Sequence, residues 1–570
     1  MKEASKSSGI GMRLDFTEGG ELPPALLRRL DDLSESHREA FNALIARLTS
    51  GRERDIDWWV SLPASRNTHS SQLFAKCMQL VLVRELLSET TNVSVLTDDP
   101  ALAKVLRPVL GDSGVTVTSK GRCRRLKRAI WNIASSLFHA FSAHWAAWRT
   151  RALMRPLPRS PLSMIEIYVQ RDSFAGGVFR DRYYPSFYES LSEDERARLF
   201  YLPIFHRVRD YYALFRNLRL GPQNFLVRQD YLNLRDYFFA FGYWWRARLL
   251  KGRAAWFAGF EVGPLVDADL EAGRFNNITV QSLLAYRFWR DIGRRNFTVG
   301  TIVDWYEGHD IDHATAAAIN WHPDTPRLIA FRPIAPASYL SVTPALHEIL
   351  CGSVAKEWAM VGAGMRRELA QAYPQITVHA APGLRYRRLL TLRLLPRNDG
   401  RKNVLVVLSI DPGMAATVHR MLAPAAAQSS DVDWHIKRHP AMPREEVAAI
   451  FCELGGNVII ADDDFYELLA RADLVVGLGT NTLMEAVAAG IPVICMSSGN
   501  QPTEIPLPVS MECGWWRMAY DAGEFAALLP EAFAVPHKDR ADPLVLEELL
   551  GPFDAAALRA LLFDQPPNVS

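Results

Sequence analysis

DLVVGLGTNTLMEAVAAGIPVICM, residues 473–496, decides the fold. It runs from an apolar strand through Gly477 and Gly479 into a Thr480-Asn481-Thr482 turn, then an alanine-rich helix, then a second apolar strand. The same alternation extends upstream. NVLVVLSI (403–410) reads as a strand and GMAATVHRMLAPAAAQ (413–428) as a helix. DWHIKRHP (433–440) is a strand, PREEVAAIFCELG (443–455) a helix, NVIIAD (457–462) a strand and FYELLARA (465–472) a short helix. Near-continuous apolar strands alternating with helices predict a doubly wound parallel sheet covered on both faces.

The polar stretch LLPRNDGRKN (394–403), with Pro396 and Gly400, is the expected linker to a first half with less regular alternation. There, DIDWWVSLPASRN (55–67) is expected to be a strand entering a loop. A helix (70–89) and the strand NVSVLTDD (92–99) follow, completing a βαβ unit. MIEIYVQ, FTVGTIVDW, RLIAFRP, WAMVGAG and ITVHAAP are further strand candidates. The expected organisation is a helical extension over 1–54, a Rossmann-like domain over 55–393 with an insertion at about 118–260, a nucleotide-binding domain over 404–550, and a C-terminal helix and tail over 551–570. The fold class is α/β, two doubly wound domains. A chain of 570 residues also exceeds one compact core.

Composition excludes several classes. The formal net charge of +2 gives no electrostatic drive toward nucleic acid. Six scattered cysteines without a C-x-x-C pair suggest neither zinc nor a disulfide framework, and MKEASKSSGIGMRLDF has no signal-peptide core, so a cytoplasmic protein is expected. Charge is locally uneven, however. Ser113 to Met164 contains no Asp or Glu, and the uncharged run AIWNIASSLFHAFSAHWAAW (129–148) lies between basic flanks. Helical spacing puts Trp131, Phe138, Phe141, Trp145 and Trp148 on one face and Asn132, Ser135, His139 and Ser142 on another. Such a helix suits an anionic membrane surface, against the alternatives of a core-packed helix and a membrane span. A second aromatic and basic region covers 206–253.

Ligands of open parallel sheets bind beyond the carboxyl ends of the strands. Two such ends stand out: Lys437, His439 and Pro440 after one strand, and Gly479, Thr480, Asn481 and Thr482 before a helix. A helix start offers spare N–H groups to a phosphate, and Glu485 one turn on is placed for a ribose hydroxyl. Plain N-capping is the competing reading of the threonines, as a structural role is for the histidine.

KRHP followed by DLVVGLGTNTLMEAVAAGIPVI resembles the donor domain of GT-B glycosyltransferases, and is most similar to those of capsule and lipopolysaccharide assembly that use CMP-activated ulosonic acids. WVSLPASRN, DWYEGHDIDHA, IAFRPIAPASYLS and APGLRY resemble surface carbohydrate biosynthesis proteins, so the likeness spans roughly 55–500. It implies a nucleotide-sugar donor (CMP-linked), a glycan or glycolipid acceptor, no metal, no cofactor and no nucleic acid, with the protein peripheral to the inner membrane. In that group the H-P motif and a Ser/Thr loop contact the CMP moiety; Thr480 and Thr482 stand where serines are common.

The class takes its base from the first domain. DWYEGHD supplies Asp304, Glu307, His309 and Asp310. Glu307 is the expected base, its pKa raised by the preceding aromatics, with His309 and Asp304 beside it. The competing reading is a helix-capping loop with Asp310 or Asp312 as the cap. Arg66 and Asn67, in the loop after the first strand, are candidates for holding an acidic acceptor, with a helix-capping loop as the competing reading. Alternative functions on the same fold are a CDP-polyol phosphotransferase, a sugar-nucleotide epimerase, or an inactive scaffold of a membrane assembly complex.

Overall fold

The computed structural model describes the chain outside residues 1–11, 91, 119–120, 171–172, 176, 207, 323–324, 334–342, 396–399, 508–513, 537 and 565–570. Pro396 of the expected linker and all of IAPASYLS lie outside the described residues.

Three parallel sheets organise the molecule. The smallest joins β1 (Met12–Asp15), β2 (Val93–Thr97) and β3 (Val115–Val117), in that order. Two expectations are corrected here. Residues 55–67 form two short helices, Ile56–Trp59 and Leu62–Ser65, in place of a strand. Asp55 caps the first by accepting from Asp57 N–H at 3.0 Å, Pro63 opens the second, and Trp58, Trp59 and Val60 are all fully buried, which a two-residue alternation does not allow. The true first strand is β1, inside the segment expected to be a purely helical extension.

The second sheet contains β4 (Leu162–Val169) and β7 (Leu199–Phe205), then β10 (Val299–Trp305), β11 (Arg327–Arg332), β12 (Glu357–Met360) and β13 (Thr377–Ala380). Its order is β13-β12-β11-β10-β4-β7, parallel throughout. Two hairpins, β5 (Phe174–Ala175) with β6 (Val178–Phe179) and β8 (Trp256–Phe257) with β9 (Phe260–Glu261), lie in the insertions. LFYLPIF, not expected as a strand, becomes β7; its Pro203 is accommodated because β7 is an edge.

The third sheet follows the expectation for five strands, β14 (Lys402–Val407), β15 (Val432–Lys437), β16 (Val458–Ala461), β17 (Leu474–Gly477) and β18 (Val493–Met496), and adds β19 (Trp516–Ala519), which was not expected. Its order is β16-β15-β14-β17-β18-β19. Winding outward from β14 in both directions puts a switch point between β14 and β17; in the second sheet it lies between β4 and β10. The protein is therefore an α/β chain with two doubly wound six-stranded sheets and a third, smaller one.

The C-terminal chain ties the halves together. Pro543–Leu550 packs on the Thr482–Ala489 helix and on Ala363–Ala372, and Ala555–Phe563 packs on β10 and β4. Gly362 and Gly383 donate to the carbonyls of Gly551 and Pro552 at 2.8 and 2.7 Å. A Cβ on Gly383 would fall 2.0 Å from the Leu550 carbonyl, so this crossing requires glycine. The N-terminal unit clasps the other side: Asn500 donates to the Asp15 and Thr17 carbonyls, and Thr503 N–H donates to Asp31 at 2.7 Å.

Candidate functional site

Both switch points carry polar loops. In the third sheet, β15 and β17 flank β14, so His439 and Thr480 leave the same carboxyl edge, separated only by the Ser409–Asp411 loop. Asp411 spends itself on the first helix there, accepting from Gly413 and Met414 N–H. Asp464 and Asp521 likewise cap Phe465–Ala470 and Ala522–Phe533. The Thr482–Ala489 helix has no side-chain cap: Asn481 is in helical geometry, and Thr480 and Thr482 bond each other at 2.8 Å. Among the described residues no side chain accepts from its leading N–H groups; Leu483 and Met484 N–H donate to the Thr480 and Asn481 carbonyls at 3.3 and 3.0 Å, which leaves the Thr482 N–H beside a half-exposed threonine pair. Gly479, at φ 59°, makes the turn, and a Cβ there would sit 2.9 Å from Met414 Sδ.

The remaining donor-side expectations are placed as follows. Half-buried His439 accepts from Ala441 N–H through Nδ1 at 3.1 Å, which leaves Nε2 to carry the proton. Pro440 is exposed in the same turn. Lys437 turns to the carbonyls of Asp462 and Asp463, along the outer edge. Glu485 is buried and accepts from Tyr466 Oη at 2.6 Å; burial and Arg385 act on it in opposite senses, burial prevailing, so its pKa is raised.

The opposite crevice is built on β10. Trp305 ends the strand, Gly308 (φ 72°) turns the chain, and Asp310–Asn320 begins. Asp312 accepts from Glu307 N–H at 3.0 Å and His309 N–H at 2.9 Å, so the acid expected as a possible cap does hold the loop. Glu307 accepts from Trp305 Nε1 at 2.8 Å and pairs with His309 Nε2 at 3.4 Å; the two side chains stay 30% and 25% exposed. The expectation of a raised Glu307 pKa is corrected. Burial does push it up, but the hydrogen bond and charge of His309, then Trp305 and Arg332, bring it down to about 2. His309 is lowered by burial and raised more by Glu307, to about 9.

Asn67 is fully buried beneath this loop, bonding Gly308 O at 3.1 Å and facing His309 Nδ1 at 3.0 Å. Its Oδ1 accepts from His69 N–H, which orients the amide so that NH₂ meets the ring nitrogen and opposes the second proton that Glu307 favours. Asn67 is a positioning residue. Arg66 is further from its expected role: its side chain is 2% exposed, and its guanidinium binds Glu348, the Asn42 amide and the Thr343 carbonyl. An acceptor has no access to it, so that expectation is replaced by a structural one.

Asp304 is likewise not a cleft residue. It is 2% exposed and converges with Glu166 of β4 and Asp312, one oxygen of each lying within 4.8 Å of the others. Burial, then the Glu166 charge, raises the Asp304 pKa far above the carboxylate range. A proton on Asp304 gives Asp304 Oδ1 and Glu166 Oε1, which have no other partner among the described residues, a donor and an acceptor. Arg228 neutralises Glu166. No metal cluster is evident in the sequence, because Glu166 and Asp304 lie far apart along the chain and meet only where β4 pairs with β10.

Arg385 was also missed. It lies in the Leu384–Leu390 turn, half-exposed, over the Tyr386 ring at 5.2 Å. Burial lowers its pKa, but Tyr386, Glu485, Tyr466 and Tyr183 outweigh it and raise it. Tyr386 feels both Glu485 and Glu307, and Tyr183 feels both Glu307 and Arg385. These shared fields place the Glu485 helix, Arg385 and the Glu307 loop within electrostatic range of one another. The APGLRY segment drew attention in the sequence, but nothing in its pattern distinguished Arg385 from its neighbours.

No protein-family model matches this chain, and no curated protein matches it. Solved structures similar to it include UDP-GlcNAc 2-epimerase from Neisseria meningitidis bound to UDP-GlcNAc (9% identity, 70% of this chain and 98% of that one, TM-score 0.42). Others are MurG of Acinetobacter baumannii (11%, 71% and 100%, TM-score 0.36) and the glycosyltransferase SnogD from Streptomyces nogalater (15%, 72% and 96%, TM-score 0.32).

Proposed function

We propose that the chain is a GT-B-type glycosyltransferase that takes a sugar, a CMP-activated ulosonic acid, from its nucleotide and delivers it to a cell-surface glycan or lipid-linked acceptor. One observation carries this reading: a helix start with no side-chain cap lies at the switch point of one sheet, and a carboxylate paired with a histidine lies at the switch point of the other, with Arg385 in electrostatic range of Glu485 on the first.

Roles follow from the chemistry. The N–H groups at Thr482–Ala489, with Thr480, Thr482 and His439, take the leaving nucleotide's phosphate. Arg385 takes the remaining anionic group, the sugar carboxylate or the phosphate. Glu307 accepts the acceptor's hydroxyl proton. A pKa of about 2 makes it a weak base at rest, but an anionic donor bound nearby raises it, so its basicity appears when the donor is in place. His309 holds Glu307 in position. Glu485 reaches a ribose hydroxyl only by sharing it with Tyr466.

The experiment is a titration of the protein with CMP, UDP and GDP, following thermal stability, since a ligand of the native state raises apparent stability by mass action. Stabilisation by CMP above the others is expected. Preference for UDP or GDP would replace the donor class. Indifference to all three would favour the scaffold. With a CMP-sugar supplied, transfer of the sugar with release of CMP is expected, and a new nucleotide sugar without CMP release would mark an epimerase; with a CDP-polyol supplied instead, a phosphodiester product with release of CMP would mark a phosphotransferase.

A further inference from the structure

The Gly121–Thr150 helix is inside out. Its buried face is small, with Ser136, Ala143, Ala146 and Ala147 against the protein, while Trp131, Phe138, Phe141, Trp145 and Trp148 turn to solvent. Trp131, Phe141 and Trp148 are 71%, 74% and 64% exposed. The Leu234–Arg246 helix repeats the pattern: Phe238 is 76% exposed, joined by Leu234 and Trp245, and Leu249 follows just beyond its end. Both helices rest on Asn277–Arg290 and touch each other through His144 and Tyr237, 5.2 Å between ring centres, so their outward stripes lie side by side. Isolated exposed hydrophobes are ordinary; a continuous ridge of this kind has an occupant.

We propose that this two-helix face docks in the plane of an anionic lipid bilayer, whatever donor the cleft accepts. Charge selects the occupant. Lys127, Arg149, Arg151 and Arg155 are exposed at the ends of the long helix, Arg216 on the neighbouring Tyr211–Leu220 helix, and Arg235 and Arg248 beside the second stripe. No Asp or Glu occurs from Ser113 to Ile165. A second copy docking on the same face would press two basic rims together, whereas anionic headgroups neutralise them. Tryptophans at the rim of an apolar stripe match the headgroup boundary. From Trp131 to Trp148 the ridge runs about 26 Å at 1.5 Å per residue, lying along the surface. Among the described residues no helix is long and apolar enough to cross a membrane, and the Ala and Ser face is spent on the protein.

The test is flotation of the full chain with phosphatidylcholine vesicles, with and without phosphatidylglycerol, at low and high salt. The expected result is binding to the anionic vesicles, at least about tenfold weaker with neutral ones and reduced by salt. Phe141→Ser with Trp148→Ser should lose binding about tenfold or more. Arg149→Glu with Arg216→Glu should lose about fivefold per reversed charge, at about 1 kcal/mol each. All four side chains are exposed, so an unchanged melting temperature verifies folding. No flotation of the wild type, or flotation of both variants at the wild-type level, overturns the proposal. So does a lipid-free dimer that the Phe141/Trp148 variant dissociates, because the ridge would then be a self-interface.

Discussion

The two crevices are made in opposite ways. At the third sheet, binding capacity sits in the backbone: a turn at Gly479, an uncapped helix, and neutral hydroxyls. At the second sheet it sits in ionisable side chains, Glu307 and His309, resting on a buried Arg228–Glu166–Asp304–Asp312 layer. A backbone site tolerates side-chain changes and fails when the chain cannot turn. A side-chain site tolerates almost none, because each charge depends on a partner in low dielectric.

The largest effect is expected beneath the second crevice. Arg228→Met removes the counter-charge of a Glu166 side chain that is 1% exposed, leaving three buried carboxyls to share one another's field. Breaking such a pair from one side costs about 3–5 kcal/mol. Chemical denaturation of the variant should show that loss, and a change under about 1 kcal/mol would mean the layer is not electrostatically coupled. Next is Glu307→Gln. With the fold intact, it should lower turnover about a hundredfold or more while leaving CMP stabilisation unchanged. It should also return the His309 pKa from about 9 toward its ordinary value, measurable by NMR titration. Loss of CMP binding instead would move Glu307 to the donor side and erase the contrast.

The pair also sets a pH window. Glu307, depressed to about 2, contributes stability that is present above its unfolded value near 4.5 and is lost as pH falls through 2. His309, raised to about 9, contributes stability present below its unfolded value near 6.5 and lost as pH rises through 9. Both contributions are whole only between those unfolded values. His309→Gln should therefore cost on the order of 1–2 kcal/mol at pH 5.5, with the difference from wild type shrinking toward pH 10. A constant difference across that range would mean the imidazole acts by packing alone.

What the sequence revealed divides along the same line. The third sheet was legible because most of its strands are short apolar runs closed by a glycine or polar turn, with β15 alternating buried and half-buried positions, so local pattern and final topology agree. DIDWWVSLPASRN misled because three consecutive buried residues, Trp58 to Val60, look like a strand when the partners that bury them lie elsewhere in the chain. The DWYEGHD loop was legible as a site, yet the sense of its pKa shift was not. Aromatics beside Glu307 suggested desolvation, while the hydrogen bonds from His309 and Trp305 that decide the outcome depend on a turn at Gly308. Arg66 failed for the same reason: its partner, Glu348, is 282 residues away.

The smallest effects test the backbone site from inside. If N–H groups bind the phosphate, Thr482→Ala removes a hydroxyl that is already bonded to Thr480 and should weaken CMP stabilisation only about threefold, the share of one neutral hydrogen bond. Gly479→Ala asks more, because it needs positive φ and 0.5 Å or so of room from Met414, whose flexible thioether can move. The ratio of the two losses is the informative quantity. A glycine effect well above the threonine effect fits recognition by the turned backbone, whereas a threonine effect that equals or exceeds it would mean that the hydroxyls do the recognising and the two crevices differ less than their capping implies.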